Sequence, residues 1–169
     1  MTTASQTMLL TERLRFETWR LEDSDLLFDL HADARVKRGY PAEYQWTTEA
    51  TQSRLASYMK EQVDFGYTKW KLCLHDGTFI GRAGWSPWGE LKAELGYALK
   101  PQYWNQGYAH EAASALLTWC QVNHPRVRLV GFALTSNVPS RRILEKIGMK
   151  LIDFRIIGDH ENAFYEYNN

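Results

Sequence analysis

The sequence predicts a mixed α/β (α+β) domain: a mostly antiparallel, twisted sheet of about seven strands flanked by about four helices. Three observations carry this. The spacing of apolar residues changes from a helical period to a period of two at Gly66. Asp76-Gly77 joins two alternating runs, a strong hairpin signal. From residue 108 onward a helix, a strand, a second helix and two closing strands follow. The predicted order is β-α-α-β-β-β-α-β-α-β-β. No repeat, low-complexity stretch or linker interrupts it, so residues 1–169 read as one domain, with 1–9 a loose N-terminal extension.

Each element has its own signal. Residues 12–19 place Leu14 and Phe16 on one face and Arg13, Arg15 and Glu17 on the other, the alternation of a strand. Glu22, Asp23 and Asp25 open a helix, where carboxylates favour the N-terminal partial charge, and Leu26, Leu27 and Leu30 supply its apolar side. Gly39 and Pro41 break the pattern, leaving 39–46 as an aromatic-rich loop. Thr47 or Thr48 caps a helix to about Val63, with Leu55, Tyr58, Met59 and Gln62 at helical spacing. The strands 67–75 and 78–85 meet at the hairpin. A turn at 86–89 then leads to a third strand, 90–99. Residues 108–122 form the strongest helix, 127–134 a buried strand, and Asn137 caps a helix carrying Ile143, Leu144 and Ile147. Gly148 suits the left-handed position after that helix, and 150–157 and 162–168 read as strands.

Composition narrows the function. Twenty Lys and Arg balance twenty Asp and Glu. That balance argues against a nucleic-acid binder, which usually carries a basic excess. No apolar run approaches the ~18 residues of a membrane helix. No basic, apolar leader opens the chain, so a cytoplasmic setting is expected, with Cys73 and Cys120 reduced and structural. Neither the cysteines nor the five histidines have metal-ligand spacing, so no metal is expected. Aromatic residues reach 14%, enough for an aromatic pocket as well as a core.

Two segments carry candidate chemistry. In YALKPQYWNQGYAHE a strand ends, a short loop follows, and Gly107 stands where a helix begins. Helix N-termini present unpaired N–H groups and partial positive charge, the ingredients of an anion cradle, although the same glycine would serve a plain turn. In NVPSRRILEKIGM, Asn137 and Ser140 share a face of the first helical turn, which a simple cap also explains.

Taken together these segments resemble the GNAT acetyltransferases. The resemblance is greatest to the branch that contains the ribosomal-protein N-terminal (alanine) acetyltransferases. Thr11-Glu12-Arg13-Leu14-Arg15 with Trp19, Glu22-Asp23-Ser24-Asp25 with Leu27-Phe28, Ile80-Gly81-Arg82-Ala83-Gly84-Trp85, and Glu94 through Ala112 extend the match over about residues 10–168. The resemblance implies an acetyl-CoA-dependent N-acetyltransferase that transfers the acetyl group directly to a primary amine, on a protein N-terminus or a small molecule. Backbone N–H groups of Asn105, Gln106, Gly107, Tyr108 and Ala109 would hold the pyrophosphate. The backbone of Tyr97, Ala98 and Leu99 would pair with the pantetheine arm, and a main-chain N–H there would stabilise the oxyanion. Asn137 would contact the same arm, Ser140 would assist the departing thiolate, and Glu94 would act as base.

Some positions depart from the family pattern. Leu144 stands where many members have a tyrosine acid, His110 where a small hydroxyl residue is usual, and Met149 where Phe is common. Tyr40, Trp46, Trp85 and Trp88, with Tyr44, are expected to wall the acceptor site, and Glu43 or Glu49 to attract an ammonium. The alternative is a non-catalytic acyl-CoA-binding or sensor module on the same fold. Exposed aromatics are compatible with a monomer or a homodimer.

Overall fold

Residues 4–168 are described by a computed structural model. All its strands join one eight-stranded sheet in the order β1-β2-β3-β4-β5-β6-β8-β7. Strand β1 (Thr7–Leu10) precedes the first one expected and pairs with β2 (Leu14–Glu17). Residues 7–9, expected to belong to a loose extension over 1–9, are therefore part of the sheet, and residues 1–3 lie outside the described residues. The reason for the miss is local: Thr7–Leu10 has no alternation and earns its place only by pairing with β2.

Helices α1 (Ser24–Ala32) and α3 (Thr48–Phe65) follow, with the single-turn α2 (Ala34–Lys37) between them. The helix count is thus five, because four residues are too short for a periodic signal. Asp33 caps α2 by accepting from the Arg35 N–H at 2.8 Å. Thr47 caps α3, its hydroxyl accepting from the Ala50 N–H at 3.1 Å. Gly66 ends α3 with φ at 77°, a left-handed conformation that costs glycine nothing.

The meander is β3 (Lys69–Leu74), β4 (Phe79–Pro87) and β5 (Lys92–Leu99). β4 runs two residues further than its alternation suggested, and the turn that follows uses Gly89 and Leu91 at positive φ. Helix α4 (Tyr108–Asn123), strand β6 (Arg128–Leu134), helix α5 (Val138–Lys146) and the hairpin β7 (Lys150–Ile157) and β8 (His160–Tyr167) complete the chain. Only β5 and β6 pair in parallel.

The sheet has two covered faces, and period-two geometry sorts residues between them. One face carries Trp70, Leu72, Ala83, Trp85, Ala93 and Leu95 into the main core with Ala112, Leu116 and Cys120 of α4 and Leu144 of α5. The second face packs Cys73, Phe79 and Ala98 against Leu27 and Leu30 of α1 and Leu55 and Tyr58 of α3. Burial on both faces explains why β3 and β4 are enclosed almost throughout.

Candidate active site

The site begins where two strands part. β5 and β6 pair only from Lys92–Arg128 to Leu95–Gly131. Beyond that, β6 stays with β8 and β5 stays with β4. The backbone of Gly96, Tyr97, Ala98 and Leu99 therefore faces a gap rather than a neighbouring strand. Gly131 helps set this gap. A Cβ there would lie 2.9 Å from a Leu144 methyl, so glycine lets α5 sit close to β6. The N-terminus of α5 is thereby brought to the opening.

At the start of α5, the Asn137 Oδ1 accepts from the Ser140 N–H at 3.3 Å, the expected cap. The Ser140 hydroxyl donates to the Tyr97 phenol oxygen at 3.2 Å, and that phenol donates to the Ser140 carbonyl at 3.0 Å. Tyr97 thus spans the gap with its side chain as well as bordering it with its backbone. Burial pushes its hydroxyl up to about 12, so it stays protonated at neutral pH.

The chain leaves β5 through a 3-10 turn, Pro101–Tyr103, and reaches α4. The Trp104 indole donates to the Leu99 carbonyl at 2.8 Å and pins this loop to the strand end. Asn105 and Gly107 are both left-handed, at φ 58° and 82°. Such a pair curls successive N–H groups toward one concave side, the geometry of an anion nest. Among the described residues, none of the N–H groups of Asn105, Gln106, Gly107, Tyr108 and Ala109 donates to a backbone carbonyl outside the helices. They add to the positive end of α4.

Arg13 joins this locus from the turn between β1 and β2, unforeseen by sequence reasoning. Its Nη1 donates to the Gln106 carbonyl at 2.9 Å, its Nε to Glu111 at 2.6 Å, and its guanidinium lies 4.2 Å from the centre of the Tyr108 ring. Glu111 also accepts from the Thr11 hydroxyl and the Arg13 N–H. One carboxylate therefore ties the first turn of α4 to a turn about a hundred residues away.

The second face of the sheet supplies the other half. The pairings Arg82–Ala98, Ser86–Glu94, Glu94–Val130 and Phe132–Phe164 put these residues on one side. Glu94 is nearly buried, and Lys69 Nζ lies 2.6 Å from its Oε2. Arg82 is buried too, with Nε donating to His31 Nε2 at 3.0 Å and Nη2 to the Tyr40 hydroxyl at 2.6 Å. Trp46 stacks on His31 with ring centroids 3.7 Å apart. Tyr40 and Trp46 belong to the loop 38–47 that covers this face. Glu43 in the same loop reaches His160 at 3.0 Å, and Gly39 lies against the Asn137 side chain.

The four expected acceptor residues do not all converge. Tyr40 and Trp46 meet around Arg82 and His31. Trp88 packs beside Phe132 and Phe164, on the same side of the sheet as Glu94. Trp85 is corrected: its side chain is wholly enclosed on the opposite face, and its indole donates to the Leu116 carbonyl at 3.0 Å. A shift of one residue along a strand reverses the face, so Ser86 and Gly84, not Trp85, share Glu94's side. Sequence reasoning also missed Lys69, Arg82 and His31. The signal for Arg82 was available, since it is a lone cation in the apolar run 79–85.

Among the described residues, no group of three or more His, Cys, Asp or Glu gathers as a metal site. No helix among them is long and apolar enough to cross a membrane.

A gap between diverging strands thus lies beside the N–H groups of a helix start, a candidate site built mainly from backbone. The comparisons identify the family. Residues 13–150 match the family model of the acetyltransferase (GNAT) domain, and the chain belongs to that family. It is 28% identical over 142 residues to the uncharacterized N-acetyltransferase YnaD of Bacillus subtilis, covering 83% of this chain and 81% of that protein. An acetyltransferase from Agrobacterium tumefaciens superposes with a TM-score of 0.81 at 26% identity, over 100% of this chain and 96% of the other. The fold is also that of RimL, a ribosomal L7/L12 α-N-protein acetyltransferase solved with coenzyme A. There the TM-score is 0.80 at 15% identity, over 95% of this chain and 97% of that one.

Proposed function

We propose that this protein is an acetyl-CoA-dependent N-acetyltransferase that acylates a primary amine directly, on a small molecule or a protein N-terminus. The observation that carries it is the opening between β5 and β6 with free N–H groups at its mouth and a Ser140–Tyr97 hydroxyl pair inside it. When bound, acetyl-CoA supplies the thioester.

The chain's own residues do the rest. The nest at Asn105, Gln106, Gly107, Tyr108 and Ala109, with Arg13 beside it, holds the pyrophosphate. Backbone groups of Tyr97, Ala98 and Leu99 align the arm as an added strand, and Asn137 borders it. Glu94 takes a proton from the acceptor ammonium, directly or through water, so that the neutral amine can form the new C–N bond. As the C–S bond breaks, the Tyr97 hydroxyl would turn from the Ser140 carbonyl to the departing sulfur, supported by the Ser140 hydroxyl donating to its oxygen, and the second proton shed by the acceptor nitrogen would leave to water. Tyr97 here serves where Leu144 removes the usual acid. Two buried free thiols fit a reducing, cytoplasmic setting.

The test is calorimetric titration with acetyl-CoA, CoA and ATP, followed by acetylation assays on a broad amine panel. Both CoA species bind the parent protein and ATP does not. Gly107→Val, which forces a β-branched residue to φ 82° and places its Cβ 3.3 Å from Arg13 Nη2, binds CoA at least tenfold more weakly. Unchanged affinity in that variant removes the nest from the site. Tight CoA binding with no transfer to any amine favours the non-catalytic module instead.

A further inference from the structure

Arg82 is a buried cation with no carboxylate partner. Its relative exposure is 5%, and no acidic group lies within ion-pair distance among the described residues. The half-buried and buried lysines on neighbouring β3 are matched, Lys69 by Glu94 and Lys71 by Glu17 and Asp23. An unpaired charge removed from water is costly, and a fold ordinarily supplies an opposite charge. The groups in contact with Arg82 are neutral, His31, Tyr40 and the Tyr58 ring, and Glu94 and Glu61 act on it only from beyond ion-pair distance.

The hydrogen-bond inventory shows what is missing. Arg82 Nη1 is buried with no partner. Arginine only donates, so the Arg82 Nε bond makes His31 Nε2 an acceptor and leaves the hydrogen on Nδ1. That Nδ1 is buried and unpartnered as well, and so is the indole Nε1 of Trp46 stacked against the same ring. Three side chains linked through His31 therefore each hold an unsatisfied N–H donor, and one of them carries a full positive charge. No acceptor among the described residues serves them. Buried donors are rarely left this way, and a cluster of them next to a guanidinium with no carboxylate in contact calls for an oxyanion.

We infer that Arg82, with His31 and Trp46 beneath the loop 38–47, is a carboxylate-binding site, and that the acceptor is an amine that also bears a carboxylate. The placement supports this. Arg82 is paired with Ala98 across the sheet, one strand from the gap, and projects on the face that carries Glu94. The carboxylate neutralises Arg82 and gives its open Nη1 an acceptor, while the amine is left free to face Glu94. Acceptors of this class include amino acids and their derivatives. A simple alkylamine leaves the Arg82 charge uncompensated and binds poorly. The assignment of an acceptor rests on the acetyltransferase reading, whereas carboxylate binding at Arg82 does not.

The experiment is calorimetry on the full chain loaded with CoA, using acetate, 3-phenylpropanoate, L-phenylalanine and L-leucine as carboxylate probes. Phenethylamine and isoamylamine serve as matched amines without one, and chloride as the control anion. The carboxylates bind saturably, at least tenfold tighter than chloride and than the matched amines. Arg82→Met loses that advantage, with acetyl-CoA affinity in the same sample reporting that it is folded. Arg82→Lys, which keeps the charge and loses the planar fork, retains part of it. Carboxylates that bind the parent no better than chloride, or bind Arg82→Met and Arg82→Lys as well as the parent, overturn the site. If acetyl-CoA itself fails to bind the parent, the acetyltransferase reading has failed instead, and the carboxylate arm run on the free chain still decides the fate of Arg82.

Discussion

The Lys69–Glu94 pair offers the most quantitative test of the acceptor face. The two side chains meet at 2.6 Å with only 14% and 10% of their surfaces exposed. Removing one member of a buried pair strands the other charge, at about 3–5 kcal/mol. Glu94→Leu and Lys69→Met should each cost an amount in that range. Glu94→Gln keeps an amide oxygen for Lys69, and its cost falls to about 2–3 kcal/mol, the loss of charge assistance in one hydrogen bond. For a chain of this size about 3 °C of melting temperature goes with each kcal/mol, so Glu94→Gln should melt roughly 6–9 °C lower. The double variant Lys69→Met/Glu94→Leu should recover to within about 1 kcal/mol of the parent, because the methionine stem replaces the lysine stem over Gly96 and no charge remains. Urea titration of all four proteins in the cycle gives the coupling energy. A coupling below about 1 kcal/mol would mean that the pair behaves as a solvated surface bridge, and the argument for a sealed acceptor face would be wrong. Well below the melting point, Glu94→Gln should lower kcat about 100-fold or more if it is the base. An unchanged kcat with the stability loss intact leaves Glu94 a structural partner of Lys69.

Two further predictions concern titration. Burial pushes the thiols of Cys73 and Cys120 up to about 11 and about 12, so at pH 8 neither should react with a disulfide reagent until the chain unfolds; rapid labelling of the native protein refutes their burial. His31 is held down to about 2, by burial first and then by the nearby cations Arg82, Arg54 and Lys69. The unfolded chain takes up this proton below about pH 6.5 and the folded one does not. The stability tied to neutral His31 is therefore intact above that pH and declines by about 1.4 kcal/mol per unit below it. The slope of unfolding free energy against pH between 6.5 and 5 should be smaller by about one proton in His31→Gln, and an identical slope shows that His31 is solvated.

Elements with a strong local signal were legible in the sequence. α4 follows from its apolar spacing, the β3–β4 hairpin from Asp76-Gly77, and the N-cap of α5 from Asn137. β1 and α2 were not, because one depends on pairing and the other is a single turn. The candidate site divides the same way. Its backbone half lies in one continuous stretch, 97–109, so a strand end, a glycine and a helix start announce it. The acceptor half is assembled from α1, the loop 38–47, β3, β4 and β5, whose residues meet only across the sheet. Trp85 shows the cost of choosing by residue type alone. A tryptophan beside a turn looks like a pocket wall, and only the register with β5 reveals which way it points.

The sheet also acts as a partition. On one side α4 and α5 carry the nest and the hydroxyl pair; on the other α1 and α3 cover Arg82, Lys69 and Glu94. The two faces come closest to one another's groups where β5 and β6 separate. A residue lining either compartment can therefore change with little effect on the other. On the proposed function, acceptor preference would drift by substitution under the loop 38–47 while the other face stays constant. Kinetically, substitution of residues that only bind, on either side, should raise the Michaelis constant of one substrate alone, whereas Glu94 and residues at the β5–β6 gap should act on turnover.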